Sequence, residues 1–154
     1  YCSPLNQQPI KMGVDLVAQS ATKFIGGHSD VVAGVVTGSK SFIKKIFDAE
    51  FLNIGGTISP MNAWLLIRGL RTLPIRLQRV CDSTKKVVDF LAQHPRVEKV
   101  VSWGGQESLV INSVVGFTPD QFETANTNNR IIRMYVGLED PDYLISDLKQ
   151  ALDT

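Results

Sequence analysis

A chain of 154 residues is long enough to bury a core, and it corresponds to one domain or to a large fragment of a bigger one. With 44% hydrophobic and 20% charged residues it reads as soluble and globular rather than disordered. A formal net charge of +1 argues against a nucleic-acid footprint or a polybasic membrane patch, and no apolar run is long enough to span a bilayer. Neither nucleic acid nor membrane is therefore expected as a partner. The start, Tyr1-Cys2-Ser3-Pro4, has no basic or apolar character of a signal peptide. It also lacks an initiator Met and reads as the middle of a loop, so the chain is expected to be partial. Cys2 and Cys81 lie far apart and are expected to be reduced intracellular thiols, which places the chain in the cytoplasm. His28 and His94 are isolated, and no cluster supplies the four ligands of a zinc site, so no metal is expected.

In chain order, residues 14–18 predict a short buried strand and residues 31–36 a second one. Between them runs a turn-rich segment with a Gly26-Gly27 pair. Ser39 is placed to cap a helix over about 40–50, with Phe42, Ile43, Ile46 and Phe47 on one face. Ser59-Pro60 predicts an N-cap and first helical position, and this helix is expected to end at Gly69. A separate helix is expected over about 74–93, with Pro74 in its first turn and Pro95 beyond its end. Strand character follows at 99–101 and 108–111. Thr118-Pro119-Asp120-Gln121 matches a capping box, and residues 131–136 alternate like a strand. Asp140-Pro141-Asp142 opens a last helix with Leu144, Leu148 and Leu152 along one side. A domain boundary is expected near 70–74.

The loop between the first two strands carries the chemistry. Lys23 stands beside Thr22, three residues after Ser20 and just before Phe24-Ile25-Gly26-Gly27. A lysine that forms an imine must be held near its carbonyl partner and be partly neutral. Nearby hydroxyls can bond phosphate oxygens, and glycines let backbone approach a ligand. From the residues alone a second reading stays open, an ordinary turn with a solvated lysine.

The run Ser20-Ala21-Thr22-Lys23-Phe24-Ile25-Gly26-Gly27-His28-Ser29-Asp30 resembles the cofactor-attachment motif of the Cys/Met-metabolism pyridoxal-phosphate enzymes. These are the cystathionine β- and γ-lyases, methionine γ-lyase, cystathionine γ-synthase and their relatives. Further segments agree in order: Asn6-Gln7-Gln8-Pro9, Ile67-Arg68-Gly69-Leu70-Arg71-Thr72-Leu73, Ser102-Trp103-Gly104-Gly105 with Glu107-Ser108-Leu109, and the stretch from Ile132 to Asp140. The resemblance implies an α/β fold, the fold-type I pyridoxal-phosphate-dependent transferase. Residues 1–72 would be the late part of the large, mostly parallel-sheet domain. Residues 73–154 would be a reduced C-terminal α/β domain. The implied cofactor is pyridoxal 5'-phosphate, held by Lys23 as a Schiff base, with Ser20 and Thr22 on its phosphate. Arg133 would grip the substrate α-carboxylate, with Ser102 and Trp103 helping to seat it. His28 and Asp30 would fix the turn.

The activity implied is a carbon–sulfur lyase acting on a sulfur amino acid. Trp103 after Ser102 leans towards β-elimination of the cystathionine β-lyase type, giving a thiol, a 2-keto acid and ammonia. The alternatives are a cystathionine or methionine γ-lyase, a γ-replacement enzyme such as cystathionine γ-synthase or a sulfhydrylase, and an inactive fragment acting only as an oligomerisation module. The family's usual assembly is a homotetramer. Three departures stand out. The aspartate that pairs with the pyridinium nitrogen, the phosphate loop and the tyrosine that stacks on the ring would all lie upstream of Tyr1. An internal deletion is also suggested near 100–101. A molecule made of these residues alone is expected to bind cofactor weakly.

Overall fold

The computed structural model describes residues 3–98, 100, 109–112, 118 and 131–154. They form two units, Tyr1–Ile75 and Arg76–Thr154. The dividing point lies inside a continuous helix rather than in a linker.

The first unit opens with α1 (Ser3–Asn6) and a single tight helical turn, Pro9–Met12. Strand β1 (Leu16–Ser20) follows, then a wide helical turn, Ala21–Ile25, and strand β2 (Gly34–Gly38). The strands pair antiparallel, from Leu16 opposite Gly38 to Ser20 opposite Gly34. Both start two to three residues later than the apolar runs predict, because pairing sets their limits. At one end Gly38 lies so close to β1 that a Cβ would fall 2.9 Å from the Asp15 carbonyl oxygen. At the other, the Ala33 carbonyl leaves the ladder and accepts from the amides of Ala21 and Thr22 at 2.9 and 3.2 Å. The mostly parallel sheet expected of a whole large domain is thus represented, among the described residues, by an antiparallel pair.

Helix α2 (Lys40–Ile46) is capped as its sequence predicts: the Phe42 amide donates to Ser39 Oγ at 3.3 Å. It runs on through a wider turn, Phe47–Phe51, into α3 (Leu52–Ile54) and stops at Gly55, whose φ of +70° suits glycine.

Helix α4 (Pro60–Gln93) corrects the prediction of two helices. It begins as expected, with the Asn62 amide donating to Ser59 Oγ at 3.2 Å. It then continues through Gly69 and Pro74 without a break. Proline removes one helical hydrogen bond. Tertiary burial of one stripe outweighs that local loss: Leu66, Leu73, Leu77, Val80 and Val87 are all at least nine-tenths buried. The core of the first unit is Ala21, Ile25, Val31 and Leu66, flanked by Ala33, Val35 and Leu65. Truncating a buried leucine such as Leu66 costs about 2–5 kcal/mol, so this cluster is a principal support of the Ala21–Ile25 turn.

In the second unit β3 (Leu109–Asn112) and β4 (Ile132–Tyr135) pair antiparallel, with Ile111 opposite Arg133. Helix α5 (Pro141–Asp153) is capped by Asp140, whose Oδ1 accepts from the amides of Asp142 and Tyr143 at 2.9 and 3.4 Å. Leu144, Leu148 and Leu152 are each half-buried, as their four-residue spacing predicts. Polar ties hold α4 and its C-terminal extension to this segment. Arg79 Nη2 donates to the Glu139 carbonyl at 3.4 Å, and Arg96 Nη1 donates to the Leu152 carbonyl at 2.6 Å. His94 Nε2 lies 3.5 Å from Asp153. Tyr135 is buried, and burial pushes its phenol up to about 12 against the opposing charge of Arg76. Burial also holds the Arg76 guanidinium below its ordinary value.

Strand character at 99–101 is not seen at Val100, and its two neighbours are outside the described residues. The capping box at 118–121 lies outside them apart from Thr118, and the apparent deletion near 100–101 falls where the description stops. Among the described residues, no helix is long and apolar enough to cross a membrane.

Candidate active site

The Ala21–Ile25 turn sorts its residues by spacing. Ala21 and Ile25, four apart, face the core and are 0% and 5% exposed. Between them the backbone at Lys23 leaves helical geometry, with φ −91° and ψ −116°. Lys23 is thereby turned outward over a firm apolar floor. With Ser20, Ala18, Gln19 and Phe24 it lines a cleft of about 250 Å³. Among the described residues neither the Lys23 amine nor the Ser20 hydroxyl makes a hydrogen bond or ion pair. The cleft therefore presents a primary amine and a hydroxyl donor with no partner to displace among the described residues.

Thr22 is engaged differently. Its Oγ1 accepts from the Ala33 amide at 3.0 Å and donates to the Ala33 carbonyl at 3.3 Å. That carbonyl already accepts from two amides, and a carbonyl has two lone pairs. The Thr22 O–H is therefore the weakest of its three donors and is readily turned to a better acceptor. The bond from the Ala33 amide survives that rotation. Thr22 can thus lock the turn and still offer its proton to a phosphate oxygen. Thr22→Val is expected to lower stability by about 1–2 kcal/mol, through the orphaned Ala33 amide, while Thr22→Ser retains most of it. Denaturant melts of the two variants check this.

Further contacts brace the loop. His28 Nδ1 donates to the Gly26 carbonyl at 2.8 Å, so this nitrogen carries a proton. Gly27 and Ser29 take φ of +70° and +56°. Asp30 Oδ2 accepts from Arg68 Nη2 of α4 at 2.8 Å, and the Arg68 guanidinium lies 5.8 Å from the Trp64 ring centroid. Sequence reading assigned no role to Arg68 or Trp64. The Arg68–Asp30 pair spans 38 residues, and the Arg68-Gly69-Leu70-Arg71 stretch gives no sign of the partner.

Ser20 and Lys23 both line the cleft, whereas Thr22, between them in the chain, is not among its lining residues and has its hydroxyl on Ala33. Arg133 sits on β4 in the second unit, at an exposed position. Ser102 and Trp103 lie outside the described residues. The free amine and hydroxyl of the cleft fit an aldehyde- and phosphate-bearing cofactor: Lys23 would hold its carbonyl carbon, and Ser20 and Thr22 its phosphate.

Comparison with known proteins bears on this site. A family model described as Cys/Met metabolism PLP-dependent enzyme matches residues 1–101. An L-methionine gamma-lyase of Treponema denticola is 30% identical over 210 aligned positions, covering 99% of this chain and 52% of that protein. The chloroplastic cystathionine gamma-synthase 1 of Arabidopsis thaliana is 41% identical over 100 positions, covering 65% of this chain and 18% of its own. Among solved structures, metB from Corynebacterium glutamicum is similar with a TM-score of 0.80 at 28% identity, over 99% of this chain and 53% of that one. The chain thus spans about half the length of the methionine γ-lyase it matches. Its α/β fold is that of the fold-type I pyridoxal-phosphate enzymes. By motif, site and similarity together, the chain belongs to the Cys/Met metabolism family of pyridoxal-phosphate-dependent enzymes.

Proposed function

We propose that the chain is part of a carbon–sulfur lyase of sulfur amino-acid metabolism, with Lys23 as the cofactor-holding and proton-moving residue. The observation that carries this reading is the Lys23 amine, without a partner among the described residues, beside Ser20 in one cleft over the buried Ala21 and Ile25. When bound, the cofactor supplies an electron sink for charge that develops at the substrate Cα. The Lys23 amine takes the proton from Cα and can return it to the departing sulfur. Ser20 and Thr22 hold phosphate oxygens through their hydroxyls. Arg133 receives the substrate carboxylate in its planar fork, and Ser102 and Trp103 help to seat it.

Two eliminations compete. The Ser102-Trp103 dipeptide supports the β-type. The L-methionine gamma-lyase named above supports the γ-type, in which a second proton leaves Cβ before the Cγ–S bond breaks. The cystathionine gamma-synthase supports the remaining option, replacement by a second nucleophile. Residues 1–72 are read as the late part of the large domain and 73–154 as the small one. A missing internal segment near 100–101 is supported by two facts: the family match ends at residue 101, and 210 positions align against a chain of 154. A homo-oligomer, tetrameric by family habit, is supported by Met61, Trp64, Ile67 and Ile75. These stand exposed on one side of α4 by 60, 55, 54 and 75%, an unusual apolar display for a surface helix. A cytoplasmic setting is supported by the free, exposed thiol of Cys81.

The test has two parts. Borohydride reduction of the holoenzyme followed by peptide mapping is expected to place the label on Lys23. Incubation with cystathionine, cysteine and methionine then sorts the activity. Pyruvate from cystathionine marks β-elimination, 2-ketobutyrate from methionine marks γ-elimination, and consumption of an added thiol without ammonia marks replacement. A label on another side chain, or no turnover of any of the three, overturns the reading.

A further inference from the structure

Helix α4 approaches the lysine turn more closely than any side chain permits. A Cβ built on Gly69 would fall 2.5 Å from the Ile25 carbonyl oxygen and closer still to that of Gly26. Both obstacles are backbone atoms, so no side-chain rotation admits a methyl group there. These carbonyls belong to the turn that carries Lys23. The Gly26 amide donates to the Ala21 carbonyl, and the Gly27 amide to the Lys23 carbonyl, each at 2.8 Å. A Cβ on Gly26 would itself meet the Ala21 carbonyl oxygen at 2.9 Å and Leu66 Cδ2 at 3.4 Å. Beside this contact Arg68 holds Asp30 at 2.8 Å. Leu66, Arg68 and Gly69 thus grip the loop in three ways: by apolar packing, by charge and by close backbone approach.

We propose that the Arg68-Gly69 segment of α4 is a positioning device for Lys23, setting the direction in which its amine enters the cleft. This rests on the reading of Lys23 as the cofactor-holding lysine. The turn is only five residues long, and the Gly27 amide just beyond it is bonded back to the Lys23 carbonyl, which couples Lys23 to the buried Ile25-Gly26 backbone. Displacing the Ile25 and Gly26 carbonyls therefore turns Lys23 as well. To admit an alanine methyl the helix and the loop must part by roughly 1 Å, and a misplacement of that size at a reacting group costs about 100-fold in rate.

The experiment compares Gly69→Ala with Leu66→Ala in the holoenzyme, and follows amide exchange at Gly26 and Gly27 in the cofactor-free protein. Leu66→Ala loosens the same interface by leaving space and forces nothing apart. Both variants are expected to melt earlier. Only Gly69→Ala is expected to shift the pH midpoint of the visible absorbance of the lysine-bound cofactor, by about half a unit or more. It should also speed exchange at Gly26 and Gly27 at least tenfold beyond Leu66→Ala. If Gly69→Ala does not fold, Arg68→Lys carries the test: it keeps the charge, loses the planar fork on Asp30, and is expected to speed the same two amides. Unchanged exchange and an unchanged midpoint in the folded variant overturn the proposal while Lys23 keeps its label. A label on another residue in the unaltered holoenzyme overturns the site reading itself, and the positioning role with it.

Discussion

Lys23→Ala is expected to yield a folded protein that takes no covalent label from pyridoxal phosphate and borohydride and loses turnover by at least about 100- to 10,000-fold. The two halves of this result have separate causes. Lys23 is exposed and its amine makes no hydrogen bond or ion pair among the described residues, so stability should stay within about 0.5 kcal/mol of the parent. The floor beneath it, Ala21, Ile25 and Leu66, is untouched. On the proposed reading function falls because one amine would serve twice, as the anchor of the cofactor and as the base at Cα. Among the described residues no second primary amine lines the cleft. Thermal melts and peptide mapping on one preparation check both halves. Retained turnover with the label elsewhere would show that another lysine does the chemistry, and a large loss of stability would show that Lys23 is a structural residue.

Arg133→Ala has the second largest expected effect. A guanidinium fork donating two charge-assisted bonds to a carboxylate contributes about 1.5–3 kcal/mol per bond. Removing both bonds should lower kcat/KM by about 100- to 10,000-fold, mostly through KM. Arg133 is exposed on β4, opposite Ile111 in the strand pair, so the substitution leaves the ladder intact. Arg133→Lys should recover only part of the loss, because an ammonium cannot make the paired, planar contact. The decisive comparison uses an amine substrate without the α-carboxylate. Parent and Arg133→Ala are expected to bind it equally, and an equal loss on both substrates would remove Arg133 from the carboxylate site.

Features written into short spans of chain were legible without any structure. Ser39, Ser59 and Asp140 cap helices through bonds to amides two or three residues on, so the residue type and its local spacing contain the whole interaction. Family membership was legible for the same reason, in the Ser20-Ala21-Thr22-Lys23 run and the segments that follow it in order. Strand limits were legible only to within two or three residues, because apolar runs mark burial whereas partners decide pairing.

What the local pattern misread was Gly69 and Pro74. Glycine and proline are the ordinary signs of a helix end, and both stand inside α4. Gly69 is small because Ile25 and Gly26, more than forty residues earlier, leave no room for a Cβ. Thr22 reads as a turn former with a spare hydroxyl until Ala33 is seen to engage it. The chemistry proposed for the lysine segment is therefore read from residue types at fixed offsets, which a linear string preserves. The close approach of Gly69 to the turn depends on which distant surfaces come into contact, and a string holds no record of contacts whose energies exist only once the chain has closed on itself.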